Sequence, residues 1–129
     1  NDFFNHLASG EADLGMYFDG RTWNHIDTGV DWIDFINPSE GGAMTAVVIQ
    51  KPKNASDLAR DYINEALDPV NQAQFAEILN YAVTNTRVQY SEKLAERVIP
   101  LNETNLPPYA EIARVRNDWV DRWNREIGM

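Results

Sequence analysis

Apolar residues recur at every third or fourth position over most of the chain. This spacing places their side chains on one face of a helix, so it predicts α-helices. Some helix ends are marked as well, since Gly10 follows the first helix and Asp68-Pro69 supplies the N-cap and first residue of the fourth. The predicted helices cover residues 2–8, 21–27, 56–67, 69–81, 91–98 and 107–127.

Three shorter segments have the pattern of β-strands. Residues 12–18 are a short apolar run followed by a turn signal, and residues 30–36 alternate in the manner of a strand near a sheet edge. Residues 43–50 are almost continuously apolar and rich in β-branched side chains, which is typical of a central strand buried on both faces. The pattern therefore predicts an α/β fold with a short mixed sheet and several helices.

The predicted sheet has few strands for so many helices. A central strand at 43–50 needs neighbours on both sides that the sequence hardly provides. We therefore expect part of the sheet to come from residues outside this chain, either because the chain belongs to a longer protein or because copies exchange strands.

The charge is unevenly distributed. Residues 1–50 hold eight acids and one base, giving −7, whereas residues 51–129 hold twelve acids and ten bases, giving −2, which together make the net −9. This balance disfavours nucleic acid and anionic membranes as partners, because both require a basic surface. The acidic first half favours a cationic ligand through its field, and solubility is the alternative explanation.

The sequence offers little for catalysis. The absence of cysteine excludes disulfides and thiolate nucleophiles and fits an oxidising compartment. His6 and His25 have no partner at metal-ligand spacing, so we expect neither a metal nor another cofactor. A hydrolase that uses carboxylates is one hypothesis, but a turn at Asp19 and alternation along an edge strand explain these acids better. The acids are Asp19, Asp27, Asp31 and Asp34.

Several segments together resemble the polyamine-type, or spermidine/putrescine-binding, branch of the type II periplasmic solute-binding proteins of ABC transporters. Over about residues 7–90 they occur in the order and at the spacing found in that family, and the ordered set is more specific than any one segment. The segments are 7–16 (LASGEADLGM), Asp19-Gly20, 35–42 (FINPSEGG), 49–55 (IQKPKNA), 59–72 (ARDYINEALDPVNQ) and 80–85 (NYAVTN).

The resemblance implies a fragment of a two-lobed fold that closes on its ligand. Residues 1–36 would end the second lobe, 37–43 would form the hinge or crossover, and 44–129 would be the C-terminal part of the first lobe with a helical tail. It further implies a periplasmic receptor, not an enzyme, that captures a small polar solute and delivers it to a membrane permease of the ABC import system. The alternative is a small helical protein-interaction module without a ligand.

The same resemblance implies which residues line the interlobe cleft. On the side of the second lobe these are Tyr17, Phe18, Asp19 and Gly20. On the other side they are Met44 and Thr45. The hinge residues are Pro38, Glu40, Gly41 and Gly42. Local interpretations stay open for several of them, because Tyr17 can simply pack, Asp19 can be a turn residue and Glu40 can order the hinge.

One departure from the family pattern predicts the specificity. Polyamine receptors carry a Trp and an Asp just after the Glu-Gly-Gly, whereas this chain has Ala43-Met44-Thr45 there. Without that aromatic stacking and ion pairing, we expect spermidine and putrescine to bind much more weakly than micromolar in calorimetric titration. Tight binding of either polyamine would contradict this expectation and the roles given to Met44 and Thr45.

Overall fold

The computed structural model describes residues 2–128, and helices dominate it. All six predicted helices are confirmed, with shifts of a few residues at their ends. They are α1 (Asp2–Ser9), α2 (Asp19–Asp27), α3 (Leu58–Leu67), α4 (Pro69–Leu79), α5 (Glu92–Arg97) and α6 (Tyr109–Glu126). None of the helices in the described part of the chain is both long and apolar enough to cross a membrane.

Local chemistry sets the helix ends. Gly10, with a φ of 75°, follows α1, and Ser91 caps α5 by accepting a hydrogen bond from the amide of Leu94. Helix α4 ends two residues before the predicted end, because Asn80 adopts the left-handed conformation with a φ of 54°. Asparagine tolerates this conformation better than most residues, which makes it a common helix terminator.

A single parallel strand pair lies within the described residues. Strand β1 (Gly42–Ala43) pairs with β2 (Thr104–Asn105), with Gly42 opposite Thr104 and Ala43 opposite Asn105. The structure thus confirms a mixed α/β class. Its sheet is a parallel pair of two-residue strands instead of the predicted short mixed sheet.

The strand predictions at 12–18 and 30–36 are wrong, since neither segment has a ladder partner among the described residues. Their aromatic residues pack onto helices instead. The Tyr17 ring lies 5.6 Å from that of Phe3 in α1, and the Phe35 ring lies 6.0 Å from that of Trp23 in α2. Tyr17 and Phe35 therefore anchor an extended chain, whereas other apolar residues of these segments, such as Leu14 and Met16, are exposed.

The run 43–50 is also different from its prediction. Pairing with β2 ends after Ala43, and the next part is exposed, at 81% for Val47 and 66% for Val48. A strand of this composition becomes buried only when neighbouring strands cover both faces. Within the described residues no such neighbours flank it, so the prediction of a buried central strand is wrong for this chain.

The chain divides into two compact units. The first unit comprises the residues up to Ile36 together with Ile49–Ile99, and the second comprises Asn37–Val48 and the residues from Pro100 onward. In the first unit, Ala76 and Leu94 are the buried apolar residues among those described. The division into lobes at 36, 43 and 129 stays a prediction.

Two aspartates at helix N-caps provide a matched test of local stability. The Asp68 side chain accepts a hydrogen bond of 2.8 Å from the amide of Val70, whereas Asp57, at the corresponding position before α3, makes no such bond. We expect Asp68→Ala to lower the free energy of unfolding by about 1 kcal/mol. Asp57→Ala should change it by no more than a few tenths of that in the same urea titration, and equal losses would contradict the assignment.

Candidate functional site

Tyr17 and Phe18 lead into α2 in the first unit. The Tyr17 ring lies among the rings of Phe3, Phe18 and His25, with centroid distances of 5.6, 6.5 and 6.5 Å. Its hydroxyl oxygen is buried and has no hydrogen-bond partner among the described residues. Buried polar groups are nearly always hydrogen-bonded, so the unpaired hydroxyl makes Tyr17 a candidate functional residue. Phe18 is exposed and occupies the N-cap of α2.

Asp19 and Gly20 form the first turn of α2 and not the free turn that their sequence suggests. The Asp19 carboxylate accepts a 2.8 Å hydrogen bond from the amide of Gly20 and lies at the helix end that favours negative charge. Gly20 is buried, and a Cβ atom there would overlap the carbonyl oxygen of Leu79 and the ring of Tyr81. Gly20 therefore allows α2 to approach the end of α4.

The predicted hinge residues form a tight turn in the second unit. The amide of Gly41 donates to the carbonyl of Pro38 at 2.8 Å, and the φ of 91° at Gly41 requires a glycine. The side-chain amide of Asn105 donates to the carbonyls of Glu40 and Gly41, at 2.6 and 3.0 Å. A side chain from β2 thus fixes the conformation of this turn.

A polar cavity of about 380 Å³ lies beside the turn within the second unit. The Asn37 side chain, which lines it, donates a 3.2 Å hydrogen bond to the carbonyl of Glu103, while its own Oδ1 is buried without a partner among the described residues. Two carboxylates and no basic side chain line the cavity, which favours neutral polar or cationic groups. The lining residues are Asn37, Pro38, Ser39, Glu40, Gly41, Asn102, Glu103, Thr104 and Asn105.

Met44 is held by its backbone in the second unit. Its amide donates to the carbonyl of Asn105 at 2.9 Å, and its carbonyl accepts from the Tyr109 hydroxyl at 3.3 Å. The Thr104 hydroxyl lies 3.8 Å from the Met44 sulfur. Thr45 is exposed. Binding of a ligand by Met44 and Thr45 stays a prediction, as it does for the first-unit residues above.

The strongest polar cluster in the first unit was not predicted from the sequence. Arg97 donates from Nη1 and Nη2 to the two carboxylate oxygens of Asp27, at 2.9 and 2.8 Å. It also donates to the side-chain oxygen of Asn80 at 2.8 Å and lies 4.7 Å from the centre of the Trp23 ring. The ammonium group of Lys93 completes the cluster, 2.8 Å from Asp27. We call these five residues the Arg97 cluster.

The charges of the Arg97 cluster stabilise each other. The hydrogen bond from Arg97, followed by that from Lys93, holds the pKa of Asp27 well below its usual range. The bond to Asp27 raises the pKa of Arg97, whose side chain is only 12% exposed. Because its donors already serve protein groups, Arg97 acts as a structural clamp and not as a site for an anionic ligand.

Nothing in the sequence predicts the ion pair between Asp27 and Arg97. Asp27 and Arg97 are separated by 70 positions, and neither belongs to a short motif. The sequence directed attention to Asp27 only as a neighbour of His25 and the other acids. Within residues 2–128, no three His, Cys, Asp or Glu side chains are grouped so that they could hold a metal ion.

Comparison with known proteins adds no relative. No protein family, curated protein or solved structure matches this chain.

The Arg97 cluster predicts a specific dependence of stability on pH. The pKa of Asp27 is lower in the folded chain than its unfolded value of about 4. The ionised carboxylate therefore contributes fully to the free energy of unfolding above about pH 4. This contribution is lost progressively as the pH falls below about 4 towards the pKa of the folded chain. We expect Asp27→Asn to lower the free energy of unfolding by roughly 2 kcal/mol at neutral pH, a value between those typical of surface and of buried ion pairs.

Urea titrations of wild type and variant from neutral to acid pH measure this dependence. The difference between the two should shrink as the pH falls, because the wild-type carboxyl is then protonated too. Asp31→Asn is the matched control, since Asp31 is exposed and its substitution should have little effect at any pH. A constant difference for Asp27→Asn would refute the electrostatic explanation.

Proposed function

We propose that this protein is the solute-binding component of a bacterial ABC import system, or a part of it. It captures a small polar solute in the periplasm, in a cleft between two lobes, and delivers it to a membrane permease. Binding by closure needs a higher affinity for the closed state and no chemical step. The proposal rests on the ordered resemblance in residues 7–90 and on one feature of the structure.

The resemblance in residues 7–90 carries the proposal, and one boundary between the compact units coincides with a predicted boundary. The chain leaves the first unit after Ile36 and enters the second at Asn37, where the predicted crossover begins. It returns at Ile49 to the unit that holds the residues up to Ile36 and crosses again at Pro100, so only the boundary at 36 and 37 matches the predicted lobes.

Charge and hydrogen-bonding groups support a cationic solute. The first 50 residues carry a net −7 (eight acids, one base), which attracts cations to this part of the chain. Asp19 supplies a carboxylate close in sequence to the Tyr17 hydroxyl, and that hydroxyl is buried and unpaired. A solute with an amine would pair with the Asp19 carboxylate, and closure that uncovers the Tyr17 hydroxyl would let a polar group of the solute satisfy it.

Calorimetric titration with choline, glycine betaine, L-arginine and putrescine tests the proposal. We expect saturable binding of at least one of the first three, without consumption of the solute. Tyr17→Phe should weaken that binding about tenfold, the effect of one hydrogen bond to a charged group. It should leave the stability of the free protein unchanged or slightly raised, because it removes an unpaired buried hydroxyl.

Two variants provide controls for this experiment. Tyr62→Phe changes the same group on the exposed side of α3 and should leave binding unchanged. Asp19→Asn should weaken the binding of cations, whereas Asp13→Asn, at an exposed position, should not. Catalytic consumption of a solute that Asp19→Asn or Asp34→Asn abolishes would refute the receptor function. Absence of binding across the panel would contradict the proposed cationic solute.

A further inference from the structure

The C-terminal half of α6 makes no packing contacts that bury it. Ile112 and Val115 are half-buried in the second unit, but all described residues from Arg116 to Gly128 are exposed. Trp119 and Trp123 are 54% and 58% exposed, one helical turn apart. Tryptophan side chains are among the largest apolar groups, and this much exposure of two neighbouring ones marks an interaction surface.

These tryptophans belong to a shaped surface on one side of α6. A cavity of about 340 Å³ lies along Trp119, Arg122, Trp123, Glu126 and Ile127. Ile127, at 61% exposure, continues the stripe by another turn. A helical segment of this length is marginally stable by itself in water, so a partner that covers the stripe would stabilise it.

The charge of α6 differs from that of the chain. The helix carries four acids and four bases, which sum to zero, whereas the whole chain has a net charge of −9. Two copies of an acidic protein repel each other over most of their surfaces, and a neutral helix is where they can approach. These charged residues are Glu111, Arg114, Arg116, Asp118, Asp121, Arg122, Arg125 and Glu126.

The charged residues within the stripe complement those of a second, antiparallel copy. At 3.6 residues per turn, Arg116, Trp119, Trp123 and Glu126 all lie within an arc of about 100°. Position 121 is midway between the two tryptophans and also midway between Arg116 and Glu126. Antiparallel pairing about this midpoint therefore places Trp119 beside Trp123 of the other copy, and Arg116 beside Glu126 of the other copy, each twice.

We propose that this face of α6, formed by Arg116, Trp119, Trp123, Glu126 and Ile127, is a dimer interface that pairs antiparallel with the same face of a second copy. The interface is isologous, so every contact occurs twice about a two-fold axis. It buries the tryptophans at the centre and places the two Arg–Glu pairs around them, an arrangement of aromatic anchors and polar groups that is common at interfaces. This proposal does not depend on solute binding.

Sedimentation equilibrium over a range of concentrations tests the interface. The wild type should approach twice its monomer mass of 14.7 kDa. Arg116→Glu alone and Glu126→Arg alone should each create two like-charge contacts and weaken dimerisation at least about tenfold, which corresponds to 1.4 kcal/mol. An equimolar mixture of the two variants should dimerise again, because every contact in the mixed dimer then joins opposite charges.

Matched charge reversals on the opposite side of α6 provide the controls. Arg114→Glu and Asp121→Arg alter the net charge by the same amounts but lie outside the face, so the mass should stay that of the wild type. Because Glu126 also accepts from Arg122 at 3.1 Å, circular dichroism should verify that each variant keeps its helices.

Three results would overturn the proposal. The first is a wild type that stays monomeric at all concentrations, including one whose tryptophan fluorescence shifts on vesicles of anionic lipid, since the face would then bind lipid. The second is a dimer that neither single reversal weakens, which would locate association elsewhere, for example at the exposed run 43–50. The third is a failure of the mixture to restore the dimer, which would exclude the antiparallel register.

Discussion

The bidentate ion pair between Arg97 and Asp27 connects three of the helices of the first unit. Asp27 is the last residue of α2, Arg97 is the last residue of α5, and Asn80 terminates α4, so one guanidinium group bonds the ends of three helices. Planar guanidinium groups suit this task because their donors lie in a fixed fork. Since the unit buries little apolar surface, breaking this pair would leave an unpaired charge where few other contacts could compensate.

The position of α2 in turn determines the environment of Tyr17 and Asp19. Gly20 allows α2 to approach the carbonyl of Leu79, and the Arg97 cluster fixes the other end of the same helix. The residues just before α2 are thereby held although they belong to no strand. A rigid helix that orients an adjoining loop is a common way to place binding groups, because the loop itself supplies little order.

The helices could be predicted from the sequence because their signals are local. Spacing of apolar residues, the Asp68 cap and Gly10 act within a few positions, and all six helices were found. The strands could not, since pairing depends on segments far apart in sequence, such as Gly42 and Thr104. The Arg97 cluster escaped for the same reason, and at Gly20 the sequence indicated a turn whereas the constraint is a close approach to α4.

Local sequence signals also fail to predict what covers an exposed apolar stripe. A period of 3.6 residues predicts that α6 buries one face, but it does not say whether this chain or another covers it. In the second unit, the polar bonds of Asn105 and the short strand pair hold the turn and β2 together without using that face. In the proposed dimer the charges of α6 answer this question, because Arg116 and Glu126 are placed symmetrically about the two tryptophans. Within one helix Glu126 accepts from Arg122 at 3.1 Å, and an antiparallel pair also places it beside Arg116 of the other copy.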